Sequence, residues 1–90
     1  MNDLIGRLAI SSSGKDKGYI YLIYSTSVNY VYLVDGNARR IKNPKKKNIK
    51  HIQILNTKSD TISKKIIENV KVFDSEIFSF IKNYKTAWNL

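Results

Sequence analysis

The chain has no cysteine, one histidine, one proline and seven acidic residues among its 90. Without cysteine, a disulfide scaffold and a zinc ribbon are excluded. With His51 as the sole histidine, a multi-histidine metal site is excluded too. No nucleophile–base pair stands in a recognisable arrangement, and the scattered carboxylates lack metal-ligand spacing. Gly14 and Gly18 flank a loop that leads into a strand, so no phosphate-cradling glycine loop precedes a helix. No apolar run approaches the ~20 residues of a bilayer-spanning helix. The segment from Met1 to Gly6 lacks the basic and apolar regions of a secretory signal. These absences point to a non-catalytic protein with no metal and no cofactor, and to the cytoplasm as the default compartment.

What the chain has in excess is positive charge. Sixteen Lys+Arg against seven Asp+Glu give a net charge of +9. Residues 1–58 hold eleven basic and three acidic residues, net +8, and residues 59–90 hold five and four, net +1. Within residues 39–50, seven of twelve are basic and none is acidic. The abundance of Lys, Ile and Asn fits A/T-heavy codons, but codon bias would spread lysines evenly. A cluster of this density reads as a polyanion-binding surface, the bland reading being a solvated loop that aids solubility.

Hydrophobic residues make up 42% of the chain, enough for a folded domain. Five short strands are expected in the first 58 residues. They are Gly6–Ile10, Tyr19–Tyr24, Tyr30–Val34, Ala38–Ile41 and Lys50–Leu55, with Ile52 and Ile54 on one face. Ser11 to Gly18 is a loop, Ser25-Thr26-Ser27 punctuates, and Asp35-Gly36 marks a tight turn. In the strand 30–34, Val31 and Leu33 should face inward. Tyr30 and Tyr32 should then be exposed or covered by the C-terminal segment. Asn43-Pro44 breaks the fourth strand and puts Lys45, Lys46 and Lys47 in an exposed loop. Five such strands suggest a small barrel.

From Ser59 the period changes. Ile62, Ile66 and Val70, widened by Ile67, trace a helix capped by Ser59 or Asp60. A second helix starts at an Asp74 N-cap, with Phe73 and Phe78 spaced as a hydrophobic staple. Ile77, Phe78, Ile81, Tyr84, Lys85 and Trp88 follow along one face. The expected class is mainly β, α+β overall: a five-stranded barrel over 1–58 and a helical extension over 59–90, packed on it or used for partner contact.

Gly14-Lys15-Asp16-Lys17-Gly18, followed by an apolar strand, a turn and a second strand ending in Asp35-Gly36, resembles the KOW motif. Gly6-Arg7-Leu8-Ala9, Leu33-Val34-Asp35-Gly36, the Arg39-Arg40 pair and a basic stretch ending in His51 fall in the same order. That order is similar to the KOW-type large-subunit ribosomal proteins of archaea and eukaryotes and their small bacterial relatives. The resemblance covers about residues 5–56 and leaves out the helical tail. It implies an SH3-like barrel that binds RNA in a ribosome or beside a transcribing polymerase. The implied partner is ribosomal RNA first, with ribosomal proteins as a further candidate and no membrane.

The candidate RNA-binding residues are Lys15, Lys17, Arg39, Arg40, Lys42, Lys45, Lys46, Lys47, Lys50 and His51. Lysine suits phosphate tracking, whereas arginine can fork onto a phosphate or stack on a base. His51 can stack, donate to a phosphate or pack a turn. Gly14, Gly18, Asp35 and Gly36 are structural, with Gly18 expected at positive φ or at a close backbone approach. Asp16 reads as a turn former bonded to its own backbone. A protein-binding SH3-like module in transcription or translation complexes is the main alternative. A DNA-binding protein and a membrane-surface binder using Phe73, Phe78, Phe80 and Trp88 are weaker ones.

Overall fold

The computed structural model describes residues 2–89. Five strands, β1 (Arg7–Ser11), β2 (Ile20–Ser27), β3 (Tyr30–Val34), β4 (Lys45–Asn48) and β5 (Ile52–Lys58), are followed by two helices, α1 (Asp60–Ile67) and α2 (Asp74–Ala87). Short 3-10 turns occupy Asn2–Leu4 and Ile49–His51. The strands form one antiparallel sheet in the order β4-β3-β2-β1-β5. Among the described residues no ladder joins β4 to β5, so the sheet is not closed into a barrel.

Both faces of the central strands are buried. Leu8, Ile20, Leu22 and Val34 share one cluster with Ile62 of α1, Val72, and Ile77 and Ile81 of α2. Ala9, Tyr21, Ile23, Val31 and Leu33 form a second cluster on the other face, covered by Leu4, Ile49, Ile52 and Ile54. This explains why Ile20 to Ile23 is a solid apolar run: a strand buried on both sides does not alternate. The sheet curls to make the second cluster. One bulge inserts Tyr24 between the pairs Ile23↔Leu33 and Ser25↔Tyr32, and another interrupts β1–β5 pairing between Arg7 and Ala9. Bulges bend the strand that carries them and increase its twist.

Val31 and Leu33 face inward as the alternation requires, and both are fully buried. The helices cover Ile20, Leu22 and Tyr24, not Tyr30 and Tyr32. Ser25 to Ser27 belongs to β2, and the turn comes later, where Asn29 takes φ +69°.

The fourth strand is not Ala38–Ile41 but Lys45–Asn48. Asp35 Oδ1 accepts from the amides of Asn37 and Arg39, and the Arg39 carbonyl accepts from those of Asp35 and Gly36. The chain is thereby closed on itself over residues 35–39, and pairing with β3 resumes only past Pro44. The three lysines thus lie on an edge strand, where charge discourages pairing with another chain.

Ser59 caps α1, its Oγ accepting from Ile62 N. The helix stops at Ile67, because Asn69 takes φ +59° and the amides of Asn69 and Val70 bond to the carbonyls of Ile66 and Lys65. That is a Schellman ending with asparagine in the glycine role. It leaves Val70, expected on the buried stripe, about half exposed, and Ile67 likewise. The N-cap of α2 is Phe73, not Asp74. Asp74 Oδ1 instead accepts from Ile41 N, and Glu76 accepts from Phe73 N. The turn at Gly36 presses on this helix end: a Cβ there would run into the Asp74 carbonyl oxygen. Among the described residues no helix is long and apolar enough to cross a membrane.

Candidate nucleic-acid interface

The lysine run 45–47 alternates like any strand. Lys45 and Lys47 lie opposite Leu33 and Val31 and share their inner face, while Lys46 lies opposite Tyr32. Lys47 is 9% exposed, a burial that an ammonium tolerates only when paired. Its Nζ donates to Asp16 Oδ1 and Ser11 Oγ, both at 2.6 Å, and to the Ser13 carbonyl at 2.8 Å. All three donors of the ammonium are thus used. Asp16 also accepts from Ser11 Oγ at 2.8 Å and from Tyr21 OH at 2.7 Å, and Lys45 Nζ lies 3.0 Å from its Oδ2.

Burial alone would raise the Asp16 carboxyl. The bonds from Lys47, Tyr21, Ser11 and Lys45 outweigh it and hold the group well below the usual carboxylate range. Burial, and then the bond to Asp16, push the Tyr21 hydroxyl well above its ordinary value. At neutral pH Asp16 is therefore a carboxylate and Tyr21 a neutral phenol. Asp16 is not the self-bonded turn former that its loop position suggests. It ties the 12–18 loop across the sheet to β4.

This geometry divides the sequence candidates. Lys47 is enclosed and Lys45, with 29% of its side chain exposed, is ion-paired; neither lies in an exposed loop. Lys15 and Lys17 flank Asp16 and are exposed. The Ser12 amide donates to the His51 carbonyl, so the loop carrying both lysines lies beside exposed Lys50 and His51. Lys46 is exposed, its Nζ 4.4 Å from the centroid of the Tyr30 ring. Arg39 is half-buried in the closed turn; Arg40 and Lys42 are exposed. Arg40 lines a groove with Phe73 and Phe78 at the start of α2. Gly14 and Gly18 take φ +89° and +92°, and Gly18 meets no neighbour where a Cβ would stand.

Sequence reasoning missed Ser11 and Tyr21 as partners of Asp16. One signal was there: Asp16 is the only acid between Asp3 and Asp35, in a region crowded with lysine. It also missed that Lys82 and Lys85 of the near-neutral tail line a cavity with Tyr19. No spacing rule joins residues so far apart in the chain. Neither the protein-family models nor the curated proteins give a match to this chain.

Proposed function

We propose that the protein is a non-catalytic RNA-binding module that contacts the phosphate backbone of structured RNA, with ribosomal RNA the first candidate. The carrying observation is the charge left over after ion pairing. Lys15, Lys17, Arg40, Lys42, Lys46 and Lys50 are exposed, and among the described residues none has a carboxylate partner. Of the three acids in the first 58 residues, Asp16 is taken by two lysines and Asp35 by its own turn. Lys45 and Lys47 leave the contact set, and His51 stays at its edge. The KOW resemblance supports RNA over DNA. It also supports reading the sheet as an SH3-like barrel whose open seam is bridged by side chains from β4 to the 12–18 loop.

The test is titration of structured RNA at several salt concentrations. If four of the free cations each neutralise a phosphate, log K falls against log salt with a slope of roughly −2.8 to −3.6. A slope near zero, or no binding at low salt, overturns the reading.

A further inference from the structure

A cavity of about 440 Å³ opens between the start of β2, the 35–37 turn and α2. This falls within the ~300–1,000 Å³ of small-ligand sites. Ile20 and Ile81 make an apolar floor. Tyr19 and Phe78 stand in its wall with 60% and 44% of their surface exposed. Lys82 and Lys85, three residues apart on α2 and exposed, line the same wall and have no carboxylate partner among the described residues. A second groove, lined by Arg40 and Phe73, adjoins it at Asn37 and Phe78. Cations thus line both, Lys82 and Lys85 the first and Arg40 the second.

We infer that this groove seats an unpaired base of single-stranded RNA, stacked on Tyr19 or Phe78, with the flanking phosphates on Lys82, Lys85 and Arg40. The inference rests on the RNA reading above and extends it to a second kind of contact. Charge chooses the occupant. Asp35 lines the groove, and its Oδ1 is held by two backbone amides, leaving Oδ2 to accept from a base N–H. Lys82 and Lys85, lining the same cavity, call for negative charge on the same occupant. A nucleotide meets both demands, since its base donates and its phosphate carries the negative charge. An aromatic face beside a basic track is the general device for holding single strands. Gly18 at the mouth, with open space where a side chain would stand, lets a flat ring approach the backbone.

The test compares a short single-stranded RNA with its blunt duplex, both titrated into the full chain. Tyr19→Leu and Phe78→Leu keep apolar bulk at exposed positions and remove the ring; thermal melts confirm that each variant is folded. At least one of them should weaken single-strand binding by about tenfold, the size of one lost base–aromatic stack, with the salt slope unchanged. Duplex binding should not move, and Tyr19→Phe should bind like the parent. Lys82→Gln with Lys85→Gln should flatten the single-strand slope by roughly 1.4 units.

If the parent binds RNA with the expected salt slope and both leucine variants match it on single strands, the groove inference is overturned and the phosphate-contact reading stands. If the parent binds neither RNA, both fall. Amide resonances of Gly18–Ile20 and Phe78–Lys85 that shift with a polyglutamate peptide but not with RNA would overturn the inference in favour of a protein partner.

Discussion

On the face of the sheet that carries Leu8, Leu22 and Val34, the cover comes from Ile62, Ile77 and Ile81 of the helices. On the face that carries Tyr21, Val31 and Leu33, it comes from Ile49, Ile52 and Ile54 and from the ion cluster at one end. The first closure is non-directional and scales with the apolar area removed from water. It is tolerant of changes that conserve volume. The second depends on one carboxylate meeting two ammonium groups. A buried ion cluster of this kind is weak evidence for stability, because desolvation offsets the attraction, yet removing one partner is costly. What it supplies here is register. A slip of one residue along β4 would bring Lys46 inside and leave Asp16 without Lys45 and Lys47.

The comparison breaks most visibly if the helical cover is removed. A chain ending at Lys58 uncovers Leu8, Ile20, Leu22 and Val34 on one face. At about 1.5–3 kcal/mol for each fully buried aliphatic side chain, the loss is comparable with the ~5–15 kcal/mol net stability of a whole domain. That chain should lack a cooperative thermal transition by circular dichroism and should bind a hydrophobic dye. The +8 of charge it retains would not rescue specific RNA binding. A sharp melt would show that the second cluster suffices as a core.

Breaking the other closure should cost less and should depend on pH. Asp16→Ala leaves Lys45 and Lys47 without their counter-charge, a loss of about 3–5 kcal/mol in denaturant unfolding. The folded-state pKa of Asp16 is depressed below its ordinary 3.8. Its contribution is therefore fully present above that value and is lost as pH falls through and below it. The parent should lose stability steeply below about pH 4, and Asp16→Asn, already lacking the charge, should show a flatter acid limb. Parallel limbs in the two proteins would mean that the cluster contributes nothing to acid stability.

The legible part of the fold was the part governed by local rules. β3 could be read from tyrosine alternating with aliphatic residues, and the inward pointing of Val31 and Leu33 followed from it. Ser59 as a cap and the start of the second helix near Asp74 were likewise visible to within a residue. β4 was not, because three consecutive lysines carry no apolar alternation. Only the position of their partners, Tyr32 between Val31 and Leu33, assigns them to alternate faces. Asp74 looked like a cap because its chemistry suits one; the backbone amide that took its carboxylate, Ile41 N, lies 33 residues away. The candidate site was legible as charge and illegible as geometry. Composition located the basic segment, but which lysines are free follows from where one aspartate sits.

The smallest expected effect separates neighbours on β4. Lys46 points away from the second cluster, with its ammonium over the Tyr30 ring. Lys46→Gln gives up an exposed cation–π contact of about 0.5–1 kcal/mol and no ion pair, so its melting point should stay close to the parent's. Lys47→Gln removes a buried ammonium that makes three hydrogen bonds and should approach the cost of Asp16→Ala. On RNA the order should reverse. Lys46→Gln should flatten the salt slope by roughly 0.7–0.9, whereas Lys47→Gln, measured where it is still folded, should leave the slope unchanged because its ammonium never reaches a phosphate. Equal destabilisation by the two would show that β4 does not hold the register paired here. Equal flattening of the salt slope would show that the cluster opens when RNA binds and releases Lys47 to it.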